Sequence, residues 1–212
     1  MTKPREIEAK FEIDDPTPLL TLRHAPPLEV TGKRQIEHVD TYLDTTSSAL
    51  RAGGATLRLR ESGGNWTLTF KGDRAQTPEG QQHVASRIEI NERVDANTAA
   101  AILAGGRSSV RLPPLALAAT LTGSAPVVPV ARIQNNRIAI DLVDDSGQQY
   151  ELAVDRCRGE RLSDGRVIEF SEVELEARSP DHTALLRAAD GLLAAVPGLR
   201  PSGQTKLARV LG

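Results

Sequence analysis

The chain has one cysteine, Cys157, in 212 residues. This excludes an intramolecular disulfide and a cysteine-built zinc site, and it leaves Cys157 to be read as a strand residue in a reducing compartment. Aromatic residues are 3% of the chain, too few for the stacking platforms that grip single-stranded nucleic acid. A core must therefore rest on Val, Ile, Leu and Ala. The formal net charge is -2, so nothing draws the whole molecule to DNA or to an anionic membrane, and any anion site must be built locally. No apolar run approaches the roughly 18 residues of a spanning helix, and the polar N-terminal segment enters a strand at once instead of forming a signal peptide. A cytoplasmic protein is expected, with neither nucleic acid nor membrane as partner. His24, His38, His83 and His182 lack metal-ligand spacing and are expected on surfaces or loops. No phosphate-binding glycine loop is present either, and Gly53-Gly54 and Gly63-Gly64 read as turns.

What is present builds sheets. Hydrophobic residues are 39% and charged residues 25% of the chain, a balance that can bury a core. Glu6, Glu8, Lys10 and Glu12 interleave with Ile7, Ala9, Phe11 and Ile13, so a strand here has one charged and one apolar face. Ile36–Asp44 sets His38, Asp40, Tyr42 and Asp44 on one face. Ala55–Glu61 opposes Thr56, Arg58 and Arg60 to Ala55, Leu57 and Leu59. Ser62-Gly63-Gly64-Asn65 turns a hairpin, and the return strand opposes Thr67, Thr69 and Lys71 to Trp66, Leu68 and Phe70. After a polar loop with Pro78 and Gly80, His83–Asn91 alternates again. Val127–Gln134, Arg137–Val143 and Gln149–Cys157 read as a meander turning at Asn135-Asn136 and Asp144–Gly147, and Val167–Ala177 follows.

Helical signals are peripheral. They fall around Leu19–His24, at Ser47–Ala52, from an Asp95 N-cap to Ala104 before Gly105-Gly106, at Leu115–Leu121, over Pro180–Val196 and over Gln204–Leu211. The sum is an α+β, mainly β protein of eight or nine antiparallel strands, folded as a sandwich or a closed barrel. A Pro- and Ala-rich connector at 112–129 is expected to join two halves of one domain spanning 1–212, because neither half holds a complete set of elements.

The polar faces carry charges of both signs. The basic set is Lys10, Arg58, Arg60, Lys71, Arg87, Arg132 and Arg137; the acidic set is Glu6, Glu8, Glu89, Asp155, Glu172, Glu174 and Glu176. Glu172-Val173-Glu174-Leu175-Glu176 puts three carboxylates on one face, where they repel. A divalent cation is the economical reason to tolerate that arrangement. Alternation alone does not say which face points inward. If these faces converge inside a barrel, carboxylates for hard cations lie beside Arg and Lys for phosphate oxygens.

In this pattern the chain resembles the CYTH family, the triphosphate tunnel metalloenzymes, over nearly its whole length. Glu6-Ile7-Glu8-Ala9-Lys10 matches E-x-E-x-K. Tyr42-Leu43-Asp44-Thr45, Leu57-Arg58-Leu59-Arg60, Thr69-Phe70-Lys71, Arg87-Ile88-Glu89, Asp155, Glu172–Glu176 and Thr205–Arg209 are similar to further family segments in order. Two positions depart from the pattern. Asn91 stands where a third acid would be, and Arg132–Arg137 matches a basic strand only at its ends.

The resemblance implies an eight-stranded antiparallel closed β-barrel, the triphosphate tunnel, with peripheral helices. It also implies Mg²⁺ or Mn²⁺, two ions, and a triphosphate substrate. The first expectation is hydrolysis of inorganic triphosphate to pyrophosphate and phosphate. The alternatives are an adenylyl cyclase or a thiamine or nucleoside triphosphatase on the same scaffold, and a non-catalytic module that binds polyphosphate or nucleotide. Arg58, Arg60, Lys71, Arg87, Arg132 and Arg137 would hold phosphate oxygens. Lys10 and Lys206 would contact the terminal phosphate. Asp155, Glu172 and Glu174 would hold one metal, Glu6 and Glu8 a second with the attacking water, and Glu89 and Glu176 would belong to the metal site. The resemblance further implies a monomer or homodimer, and a parent protein that can continue into a helical CHAD domain.

Overall fold

The computed structural model describes residues 5–72, 83–105, 111–179 and 181–212. Pro78 and Gly80 of the polar loop, Gly106 of the helix stop and Pro180 at the expected helix start lie outside the described residues. The elements run β1 (Arg5–Glu12), α1 (Thr17–Leu20), β2 (His24–Ala25), β3 (Leu28–Asp44), α2 (Ala49–Ala52), β4 (Thr56–Ser62), β5 (Asn65–Gly72), β6 (Val84–Val94) and α3 (Ala96–Leu103). They continue with α4 (Pro113–Thr122), β7 (Val128–Asp144), β8 (Gln149–Arg161), β9 (Arg166–Ala177), α5 (His182–Ala195), β10 (Arg200–Pro201) and α6 (Lys206–Leu211).

Eight strands form a closed antiparallel ring in the order β1-β6-β5-β4-β3-β7-β8-β9, with β9 returning to β1. Closure pairs Glu8 with Glu176 and Lys10 with Glu174. The two-residue strands β2 and β10 attach to β3 and β1.

Helices decide which face is inside. The apolar residues Ile7, Ala9 and Phe11 of β1 share a core with Val173 and Leu175 of β9 and with Leu185, Ala189 and Leu192 of α5. Leu57 and Leu59 of β4 and Leu68 and Phe70 of β5 pack under Ala99 and Ile102 of α3 and Ala118 of α4. Each fully buried aliphatic or aromatic side chain contributes about 1.5–3 kcal/mol, so the apolar faces turn outward under the helices and the charged faces are left to the lumen. β1 is consequently buried on both faces: Ala9 is 0% exposed and its neighbour Glu8 only 3%.

The helix caps follow the sequence signals. Asp95 accepts from the Thr98 amide, Asp181 from Ala184 and Thr205 from Ala208, each satisfying a free amide of the first turn. Helix α6 closes over a third apolar cluster: Leu207 and Val210 meet Tyr42, Ala131, Ile133 and Cys157. Gly159 permits this approach, since a Cβ there would stand 2.4 Å from Val210.

One expected turn is absent. Asn135-Asn136 lies inside the continuous strand β7, paired with His38 and Glu37 of β3. The partner β3 also runs longer than expected, from Leu28, through a register shift at Val30/Gly32. Each strand supplies the other's hydrogen bonds over most of its length, and that outweighs the local turn preference of an Asn pair.

Candidate active site

Alternation carries the charged side chains into the barrel. A cavity of about 220 Å³ is lined by Glu6, Arg58, Lys71, Arg87, Glu89 and Lys206, with Lys10, Arg60, Arg137, Glu174 and Glu176 also at its wall. Fifteen residues are site candidates from the sequence, counting Lys206. The structure gathers them, except Arg132 and Glu176, into three adjoining charge clusters, and Glu176 lines the same cavity.

The first cluster joins β1, β5 and β6. Lys71 Nζ is 2.6 Å from Glu6 Oε2 and 3.2 Å from Glu89 Oε2, and Arg87 pairs with Glu8. Cross-strand register brings them together: Lys71 faces Glu89 directly, and Arg87 faces Glu6, diagonal to its partner Glu8. The second cluster joins β1, β7, β8, β9 and α6. Lys206 Nζ lies 2.9 Å from Asp155, 2.8 Å from Glu172 and 3.0 Å from Glu174. Arg137 donates twice to Asp155, at 2.7 Å each, and once to Glu174 at 2.9 Å. Lys10 pairs with Glu174 and stands 3.3 Å from Glu172. The third cluster is Asp40 of β3 between Arg58 and Arg60 of β4.

The clusters set their own protonation. Burial, reinforced by the Glu8 charge, raises the Glu6 carboxyl well above the carboxylate range against the pull of Lys71. Burial alone would raise Glu8 as well, but Lys10, Lys71 and Arg87 outweigh it and hold Glu8 low. The same contest is won by Lys206 and Arg137 at Asp155, brought down to about 2, and burial raises Glu176. Surrounding carboxylates outweigh burial at Lys10 and Lys206 and hold both ammonium groups charged.

Among the described residues no three carboxylate, imidazole or thiol groups are gathered as a ready-made metal cage. The donor chemistry nevertheless fits a hard cation on one side of the lumen. Glu6, Glu8, Glu89 and Glu176 offer only oxygens, and Glu176 makes no ion pair among the described residues, so it is a half-buried carboxylate lacking a counter-ion. On the other side Asp155, Glu172 and Glu174, expected to hold a metal, are paired with Arg137, Lys206 and Lys10, as Glu6, Glu8 and Glu89 are with Lys71 and Arg87.

Arg132 is the clear correction among the phosphate ligands. It is exposed on the outer wall, beside Trp66 and Leu162. Arg132 and Arg137 are an odd number of residues apart on one continuous strand, so they cannot face the same side. His38, expected on a surface or loop, is buried in β3 at 4% exposure. Three further residues join these groups. Asp40 holds the β4 arginines. Glu151 is 3.8 Å from Arg137 Nη1 and pairs with Arg34 and Arg178. Asn91 accepts from Thr69 at 2.6 Å and donates to Glu89 at 3.0 Å. Inward parity was the available signal for Asp40 and Glu151, while their partners depend on register.

Two guanidinium atoms point to an anion. Arg58 Nε and Arg87 Nε are buried with no hydrogen-bond partner among the described residues. A buried donor left unpaired costs about 1–3 kcal/mol, and a phosphate oxygen would satisfy it.

The fold and site thus define an antiparallel β-tunnel lined by paired charges, with basic donors open to a polyanion. The chain belongs to the CYTH domain family, whose model matches residues 4–211. Solved structures share the fold. The Hippeastrum protein HpAC1, described as revealing a dominant triphosphatase activity, is 19% identical with TM-score 0.68, over 97% of this chain and 95% of its own. A Bacillus halodurans protein described as an adenylate cyclase is 18% identical with TM-score 0.66, over 100% of both chains. The mimivirus capping enzyme triphosphatase is 9% identical with TM-score 0.51, over 92% of this chain and 90% of its own. A search of curated proteins finds no match. Among the described residues, no helix is long and apolar enough to cross a membrane.

Proposed function

We propose that the protein is a Mg²⁺- or Mn²⁺-dependent hydrolase that splits inorganic triphosphate into pyrophosphate and phosphate inside the tunnel. The carrying observation is the pair of buried, unpartnered donors, Arg58 Nε and Arg87 Nε, beside the carboxylates of Glu6, Glu8, Glu89 and Glu176. Membership of the CYTH family and the triphosphatase descriptions of HpAC1 and the mimivirus protein support the reading.

Arg58, Arg60, Lys71, Arg87 and Arg137 hold the phosphate oxygens, with Arg suited to two-point contact and Lys acting as a point charge. Lys10 and Lys206 neutralise the terminal phosphate. Glu6, Glu8, Glu89 and Glu176 would hold the metal, which when bound supplies charge neutralisation and a water of lowered pKa. Glu6 and Glu8 would orient an attacking water toward the terminal phosphorus and take up its proton, and the bridging oxygen would leave with pyrophosphate. Phosphoryl transfer rests chiefly on positioning and charge stabilisation, and the lumen supplies both. The test is phosphate release from inorganic triphosphate, ATP and thiamine triphosphate with and without Mn²⁺, with cyclic AMP measured in parallel. Release fastest with inorganic triphosphate is expected. Cyclic AMP as the main product of ATP would replace this reading with a cyclase, and binding without turnover would reduce it to a binding module.

A further inference from the structure

Glu89 is held at both carboxylate oxygens. Lys71 Nζ stands 3.2 Å from Oε2, and Asn91 Nδ2 donates to Oε1 at 3.0 Å. Glu89 and Asn91 are two residues apart on β6 and so share its lumen face. Both line the 220 Å³ cavity, together with Thr69 and Lys71 of β5. Register sets the arrangement, because Lys71 faces Glu89 and Thr69 faces Asn91.

Chemistry fixes how the Asn91 amide lies. Burial would raise the Glu89 pKa, but Lys71 outweighs it and keeps the carboxyl ionised. An ionised carboxylate only accepts, so the amide turns its nitrogen to Glu89. The amide oxygen is then left to Thr69, whose hydroxyl donates to Oδ1 at 2.6 Å. Thr69 is 1% exposed, so the chain of bonds from Thr69 through Asn91 to Glu89 runs from the buried wall of the barrel to a carboxylate in the lumen.

Lys71 does not serve Glu89 alone. It lies closer to Glu6, at 2.6 Å, and phosphate oxygens are its partners in the proposed reaction. Glu8 is held by the cation of Arg87, whereas Glu89 also takes a bond from a neutral group. That difference has a use. A neutral amide steadies an anion without cancelling its charge. A Lys or Arg at position 91 would repel a metal, and an Asp or Glu there would have no hydrogen to give at neutral pH. The hydrogen-bond partners of a ligating carboxylate set its aim and its affinity.

We propose that Asn91 is a positioning residue, which aims Glu89 at the metal and keeps it aimed once Lys71 has turned to phosphate. The proposal rests on the metal reading of Glu6, Glu8, Glu89 and Glu176 and adds Asn91, braced by Thr69, behind it. Asn91 acts through Glu89 and needs no contact with the reacting phosphorus.

The test is calorimetric titration of Mn²⁺ into the full chain as wild type, Asn91→Ala, Thr69→Val, Glu89→Ala and the double variant Glu89→Ala with Asn91→Ala. Thr69→Val keeps the shape of its side chain and probes the same link should Asn91→Ala not fold; thermal melting checks each variant. Asn91→Ala is expected to bind Mn²⁺ about tenfold more weakly, with Thr69→Val shifted in the same direction. In the Glu89→Ala background, Asn91→Ala is expected to add nothing further. At saturating Mn²⁺ the KM of Asn91→Ala for inorganic triphosphate is expected to stay within about twofold of wild type. Folded variants that bind Mn²⁺ as wild type does, or a loss from Asn91→Ala that is undiminished without Glu89, would overturn the proposal and leave the metal reading standing. Wild-type protein that binds no Mn²⁺ would overturn both.

Discussion

Arg60 and Asp40 face each other across β4 and β3 in a two-point pair, Nε to Oδ1 at 2.7 Å and Nη2 to Oδ2 at 2.8 Å. Arg58 Nη1 stands 3.5 Å from the same carboxylate. One wholly buried acid therefore steadies both basic residues of β4. Asp40→Ala would leave two guanidiniums without their counter-charge. Breaking a buried pair costs about 3–5 kcal/mol, and the partial exposure of both arginines discounts this to about 2 kcal/mol. Urea denaturation is expected to show that loss, and KM for triphosphate is expected to rise. An unchanged urea midpoint would show that Asp40 does not hold the pair.

The opposite faces of β7 give a matched comparison. Arg137→Ala is expected to lower kcat/KM for triphosphate by more than about tenfold, because it removes a lumen donor and frees Asp155. Arg132→Ala, on the outer wall, is expected to stay within about twofold of wild type. Steady-state kinetics on both variants checks this, and an equal loss in the two would refute the inward assignment of Arg137.

Glu6→Ala combined with Glu8→Ala removes two oxygen donors from the side of the lumen that suits a metal. Mn²⁺ affinity measured by calorimetry is expected to fall by about 10–100-fold, with loss of turnover. Asp155→Asn is expected to leave Mn²⁺ affinity nearly unchanged, because Asp155 is already occupied by Lys206 and Arg137. Full turnover in the double variant would remove Glu6 and Glu8 from the mechanism.

His38 makes stability depend on pH. Its folded pKa lies near 4, below the ordinary 6.5, because burial disfavours the charged ring. Between those values the unfolded chain binds more protons than the folded one, so stability falls as pH drops from about 6.5 toward 4. The contribution is of order 2 kcal/mol. Chemical denaturation across this range is expected to show the slope in wild type and a flatter one in His38→Gln. Parallel slopes would mean that His38 is not the group responsible.

Much of this arrangement could be read before any coordinates. Glu6, Glu8 and Lys10, the Arg58–Arg60 pair and Glu172–Glu176 occupy one parity of their strands, and parity is a property of sequence. Which parity turns inward depends on what covers the other side, and the helical stripe of Leu185, Ala189 and Leu192 answers that only once α5 is docked. The division of the charges into three clusters was not legible. It arises from register between strands, including strands far apart in the chain, as where Lys10 of β1 meets Glu174 of β9 and Glu6 meets Arg87 of β6. Arg132 was misplaced for a related reason. Reading Asn135-Asn136 as a turn separated it from Arg137 and hid the conflict in parity between them.

Closure of the ring between β1 and β9 has a consequence for how the chain is made. β1 is synthesised well before β9, so one of its two edges must wait for residues 173–176, and the charge on Lys10 must wait for Glu172 and Glu174. Until then a strand with an apolar face and an unpaired edge is open to other chains. Pairings so distant in sequence close slowly. Glu6, Glu8 and Glu12 along that waiting strand put like charges at every second position but one, the kind of residue that disfavours pairing at an open edge.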